Sequence, residues 1–138
     1  VDADTVQITE VLLRYATGID SKNWPLFRSC WADEVDVDYG ELGTFTDPDA
    51  LTELFAQIHG PMGPTYHRLS NVAIEVDGDI ATARTYVHAV LMVTPDANGP
   101  WVDAIGHYDD ELLRGPNGWR IRRRAAHTPR ILTGGGGS

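Results

Sequence analysis

Asp20 and His67 are the residue types that general acid–base chemistry requires. An imidazole, with an unperturbed pKa of about 6.5, is the side chain best suited to take up and release a proton near neutral pH. A carboxylate on its second ring nitrogen would fix the tautomer and stabilise the imidazolium. Asp20 follows Ile19 at the end of an apolar helical stripe, where the partial negative charge of a helix C-terminus disfavours an acid. It is either a solvated helix end leading into Ser21-Lys22-Asn23, the usual fate of a charged residue, or a carboxylate aimed into a cavity to orient a histidine. His67, after the Pro64-Thr65 loop at the start of a strand, is either an ordinary half-buried histidine or the base. The pair works only if the two meet in space, which spacing does not decide.

Other side chains could complete such a site. Tyr15 lies five residues before Asp20, off its helical stripe, but a pocket at the helix end could collect both. Tyr39 is a second candidate hydroxyl donor, and either tyrosine could equally be packing. His88 is mid-strand on the face of Tyr86, Val90 and Met92, opposite Thr85, Val87, Ala89 and Leu91; it is either a second pocket acid or a core histidine. His59, His107 and His127 are weaker candidates, with His107 alternating with Asp103, Ile105 and Asp109 on a wetter face. The run Arg120, Arg122, Arg123 and Arg124 reads as a solvated strand edge, with Arg124 a candidate for holding a substrate oxygen. Trp31, Phe55, Met62, Met92 and Trp101 are the bulky side chains expected to shape a pocket, and the Met62 loop between Gly60 and Pro64 could cover it. No HxH, HExxH or Cys/His cluster predicts a metal, and no GxGxxG or GxxxxGK predicts a nucleotide. Cys30 reads as packing rather than a nucleophile.

Helices positioning these groups come first. Ile8, Val11, Leu12, Tyr15, Ala16 and Ile19 form the i, i+3, i+4 stripe of an amphipathic helix, with Asp4 or Thr5 as candidate caps. A short helix is predicted from Asn23, burying Leu26, Phe27 and Trp31, and a third over 50–59 behind Asp47-Pro48-Asp49. Alternation over 35–39 predicts a short strand, with a turn and second strand following to 46. Long strands follow over 66–76, 80–94, 101–114 and 119–131, joined by Asp77-Gly78-Asp79, a loop over 95–100 and Gly115-Pro116-Asn117-Gly118. Helices first and an antiparallel meander second make the class α+β.

The 138 residues predict a single domain over 1–133, with 134–138 a flexible Gly/Ser linker. One cysteine allows no internal disulfide, and the acidic N-terminal stretch carries no signal-peptide pattern, so a reducing cytoplasm is expected. With 11 basic and 20 acidic residues the net charge is −9, which argues against nucleic-acid or anionic-membrane partners. No apolar run approaches the roughly 18 residues of a membrane span.

The segments Tyr15-Ala16-Thr17-Gly18-Ile19-Asp20, Trp24, Phe27, Trp31-Ala32-Asp33, His67-Arg68-Leu69-Ser70-Asn71, Asp77-Gly78-Asp79-Ile80-Ala81, Gly106-His107-Tyr108-Asp109-Asp110-Glu111 and Gly118-Trp119-Arg120-Ile121 resemble, in order and spacing, the SnoaL-like (nuclear transport factor two-like) superfamily. The resemblance implies a cone: a curved antiparallel sheet wrapped around N-terminal helices, a cystatin-like α+β barrel, with a deep apolar pocket at its open end. Within the group the chain is similar to scytalone dehydratase, bile-acid 7α-dehydratase and hexachlorocyclohexane dehydrochlorinase, cofactor-free lyases with an Asp–His dyad. Their Asp carries over to Asp20 and their His to His67; Tyr15 matches the tyrosine of the bile-acid enzyme, and His88 resembles the second pocket histidine of scytalone dehydratase. The dehydrochlorinase has a lysine where Tyr15 stands, a departure that disfavours that particular reaction. The resemblance implies dehydratase-type β-elimination on a small hydrophobic cyclic or polyketide-like substrate, with no cofactor, in a homo-oligomer, a trimer or a dimer. Two other readings remain open: an isomerase or polyketide cyclase with the same proton chemistry, and a non-catalytic binding or assembly module. The presence of both Asp20 and His67 favours an enzyme.

Overall fold

A computed structural model describes residues 2–136. Helix α1 (Ala3–Asp20) buries the predicted stripe from Ile8 to Ile19, and its start is capped by Asp2, whose carboxylate accepts from the Asp4 amide, two residues before the earlier of the predicted caps. Helix α2 (Trp24–Arg28) is capped by Asn23. Trp31, predicted on this helix, instead opens strand β1 (Trp31–Asp38). A 3-10 turn (Gly40–Leu42) and the two-residue strand β2 (Thr44–Phe45) lead to helix α3 (Pro48–His59), capped by Asp47. Four long strands follow: β3 (Thr65–Asp77), β4 (Ile80–Met92), β5 (Trp101–Gly115) and β6 (Gly118–Gly134). Gly134, assigned to the linker, pairs with Trp101 at the end of β6; Gly137 and Ser138 lie outside the described residues.

The sheet runs β2-β1-β6-β5-β4-β3. It is curved and unclosed, and it is not wholly antiparallel: β1 lies parallel to β6 while every other pair is antiparallel. The chain passes from β1 through β2, α3 and three further strands before β6 pairs with it, which permits the parallel match. Helix α1 lies in the concave side against β3 and β6. Inward positions on β4 are Ala81, Ala83, Thr85, Val87 and Ala89; small side chains there leave room for the helix. A bulge between Ser70 and Ala73, with Asn71 at φ 50, bends β3 around it. Gly18 lets α1 and α2 touch: a Cβ there would sit 2.8 Å from the Phe27 backbone nitrogen. Among the described residues, no helix is long and apolar enough to cross a membrane.

Candidate active site

Asp20 is the last residue of α1, and the Lys22 backbone, at φ 52, turns the chain away directly after it. Its carboxylate therefore projects from the helix end toward the start of β3. There it accepts three hydrogen bonds: from Thr65 Oγ1 at 2.9 Å, from the His67 backbone amide at 2.8 Å and at His67 Nδ1 at 2.7 Å. These donors offset the repulsion that a helix C-terminus imposes on an acid. Burial raises the Asp20 pKa, but the His67 side-chain and backbone hydrogen bonds, with that of Thr65, outweigh it and hold the carboxyl below its usual range. The carboxylate is thus ionised and can only accept, so the proton between the two residues resides on Nδ1. In the neutral ring that tautomer leaves the Nε2 lone pair free. The His67 side chain is 9 % exposed and that of Asp20 24 %, so the pair is shielded but reachable.

Around it stands an aromatic interior. The His59 ring lies 6.4 Å from the His67 ring and stacks on Phe55, with Nδ1 2.9 Å from the Phe55 carbonyl oxygen. Burial lowers the His59 pKa, favouring the neutral ring. Phe55 packs on Tyr39 at 5.2 Å, and the Tyr39 and Tyr15 hydroxyls share a 2.7 Å hydrogen bond. Arg124 Nη1 donates to Tyr39 Oη at 3.4 Å, and its guanidinium lies over the rings of Tyr108 at 3.9 Å, Tyr15 at 4.2 Å and Trp31 at 5.3 Å. A bidentate pair at 2.8 and 2.9 Å joins Arg124 to Asp110 with both side chains fully buried. Burial works against the charge of Arg124, but Asp110 and the facing tyrosines hold it protonated, well above its ordinary range. Burial also raises the Tyr15 pKa well above its usual value, so its phenol keeps its proton.

Residues 3–125 match the SnoaL-like domain family. The chain belongs to that family. An uncharacterised protein of Mycobacterium tuberculosis is 27% identical over 128 residues, spanning 88% of this chain and 83% of its own. A candidate scytalone dehydratase from Novosphingobium aromaticivorans superposes with a TM-score of 0.82 at 21% identity, covering 93% of this chain and 85% of that one. A hexachlorocyclohexane dehydrochlorinase gives a TM-score of 0.82 at 18% identity, covering 95% of this chain and 88% of that one. At these identities the structural likenesses establish the fold.

Within this SnoaL-like chain, the expected site residues separate into two sets. Asp20 meets His67, and in the cone interior Tyr15 meets Tyr39 and Arg124, while Phe55 packs on Tyr39. Trp31 is there too, fully buried against Tyr15. His88 is not. It shares the outer face with its neighbour on β5, Ile105, and its Nε2 lies 3.1 Å from Asp103. Met92 and its register partner Trp101 have the same outward parity, so neither lines the interior. The expectation failed because His88 was set on the wrong side of the sheet; the small residues at odd positions of β4 are what mark the side that packs on α1. Arg124 lies on an interior strand between β1 and β5, not on a solvated edge. The Met62 loop is pinned rather than loose: Lys22 Nζ donates to the Met62 carbonyl at 2.7 Å, and Gly63 and Pro64 exchange hydrogen bonds with Met92.

Thr65 and Asp110 were missed, and His59, read as a weaker candidate, stacks on Phe55 beside His67. Thr65 and Asp110 carried one signal, inward parity beside His67 and Tyr108 respectively. Burial pushes the Cys30 thiol up to about 11, which agrees with a packing role. The interior around Tyr15 is filled by rings, with Phe27, Tyr108 and Trp31 at 5.4, 5.7 and 5.9 Å, rather than hollowed into a deep apolar pocket. A groove of about 590 Å³ lies instead on the outer sheet face beside Glu75, Thr82, Arg84, Asp109, Glu111 and Arg123. Neither Asp20 nor His67 borders that groove; the ionised Asp20 carboxylate and the His67 ring it holds lie where the end of α1 meets the start of β3. Among the described residues, Trp31 Nε1 and Thr85 Oγ1 are buried polar atoms with no protein partner, the kind of group that a substrate oxygen or a water satisfies.

Proposed function

We propose that the protein is a cofactor-independent lyase that performs dehydratase-type β-elimination on a small hydrophobic cyclic or polyketide-like substrate. The observation that carries this reading is the 2.7 Å contact between an ionised Asp20 and Nδ1 of a shielded His67, which leaves Nε2 as a base. Nε2 takes a proton from a carbon next to a carbonyl; the C–H electron pair becomes the new C=C bond, and the C–O bond to the leaving hydroxyl breaks. Asp20 stays ionised and stabilises the imidazolium. The leaving oxygen needs a proton. Tyr15 and Tyr39 hold two hydroxyl protons, and their mutual hydrogen bond uses one; Arg124 occupies an acceptor position on Tyr39, so one phenolic proton is left to donate. The family membership and the dehydratase-type proteins among the structural neighbours support the same class.

The test is a panel of cyclic β-hydroxycarbonyl compounds incubated in D2O and followed by NMR. Elimination releases water and yields the unsaturated product. The rate should fall about 100- to 10,000-fold in His67→Ala and in Asp20→Asn, with circular dichroism unchanged. Deuterium exchange without loss of the hydroxyl would replace the lyase by an isomerase or cyclase. Turnover that survives either substitution would remove the dyad from the mechanism.

A further inference from the structure

Three side chains outside this site converge on the opposite face of the sheet. His107 and Asp109 are two apart on β5 and project outward together, and His127 on β6 is the register partner of His107. The two imidazoles stack at 4.7 Å with 26° between their planes. A register shift between Ile105 and His107 sets this juxtaposition, and Gly106 allows it: a Cβ there would collide with the His127 carbonyl. His107 Nε2 and His127 Nε2 each lie 3.4 Å from the same oxygen, Asp109 Oδ2. That is long for a charge-assisted hydrogen bond. It matches the spacing of ligands around a tetrahedral ion, since metal–ligand bonds of about 2.0–2.2 Å put the corners about 3.3–3.6 Å apart. All three ligand atoms lie within 4.8 Å of one another.

We propose that His107, Asp109 and His127 form a binding site for one divalent first-row transition-metal ion of the zinc class. Two imidazoles and one carboxylate are the donor set such ions favour, and alkaline-earth ions, which want oxygen ligands, are disfavoured. Arg84 donates to Asp109 Oδ1 at 2.7 Å and to Oδ2 at 3.0 Å, orienting the carboxylate while adding a positive charge that weakens the ion's hold. Side-chain exposures of 28 % for His107, 37 % for Asp109 and 53 % for His127 leave the fourth position to solvent. An ion there clips β5 to β6. No local motif announces the site, because its third ligand arrives across the strand pair.

Cobalt(II), titrated into metal-free protein, is the probe. One equivalent per chain should give the intense visible bands of tetrahedral cobalt, and zinc should displace it. His107→Ala and His127→Ala should each weaken binding by more than about 100-fold, beyond the 10- to 100-fold typical of outer-shell changes. His88→Ala, on the same face, and Asp20→Asn, inside the cone, should bind as the parent does. Zinc should also raise the melting temperature of the parent but not of the two histidine variants. Absence of the tetrahedral bands, equal binding by a His107→Ala/His127→Ala double variant, or loss of binding in Asp20→Asn would each overturn the assignment. EDTA should strip this ion without changing turnover at His67; failure of either site leaves the other standing.

Discussion

Asp20 ends a helix whose dipole works against its charge, and three donors from one neighbouring strand reverse that cost. This arrangement makes acid stability a local test. The folded state holds the Asp20 carboxyl below its ordinary value of 3.8, so in acid the unfolded chain binds the proton more readily. The stabilisation is present above that ordinary value and is lost as pH falls through the lower, folded one. Urea midpoints taken between about pH 5 and pH 2 should therefore fall more steeply for the parent than for Asp20→Asn. Parallel slopes would mean that the hydrogen bonds do not favour the charged form. Both members of the pair stood out in the sequence, Asp20 by its odd place at a stripe's end and His67 by its chemistry. Thr65, which also holds Asp20, did not, because a threonine in a strand is ordinary until its partner is known.

Helix α1 carries the acid, and its position depends on how closely α2 approaches. Gly18 has no room for a side chain, with the Phe27 backbone nitrogen 2.8 Å from where a Cβ would stand. Backbone cannot rotate aside as a flexible side chain can. Gly18→Ala should therefore destabilise by about 1–3 kcal/mol, read from denaturant unfolding, despite alanine's better helix propensity. A neutral or stabilising result would show that the two helices separate without cost. The helices were legible from periodicity and caps, and the four long strands from their turns, with ends shifted by a few residues. Trp31 was misplaced onto α2 because aromatic residues spaced four apart, Phe27 and Trp31, fit a helical stripe as well as a strand start.

At the scale of the whole molecule, Arg124 and Asp110 tie the layers together. Arg124 is on β6 and Asp110 on β5, and the guanidinium lies against Tyr15 of α1 and Trp31 of β1. Asp110→Ala would leave a buried guanidinium without its partner, so it should cost about 3–5 kcal/mol in urea unfolding. A change below about 1 kcal/mol would mean that water or the tyrosines replace the carboxylate. The run of arginines read as a solvated edge because basic residues are rarely buried, and nothing local says that β6 is an interior strand.

Local order determined the α+β class, the amphipathic α1, the turns and the residue types of an acid–base pair, since periodicity and turn chemistry act over a few neighbouring residues. The order and spacing of short segments carried the family. Tertiary structure alone decided that Asp20 meets His67, that β1 lies parallel to β6, that His88 faces outward and that His107, Asp109 and His127 converge. Each of these depends on strand order, register or sheet curvature, which are set by packing between segments distant in the chain.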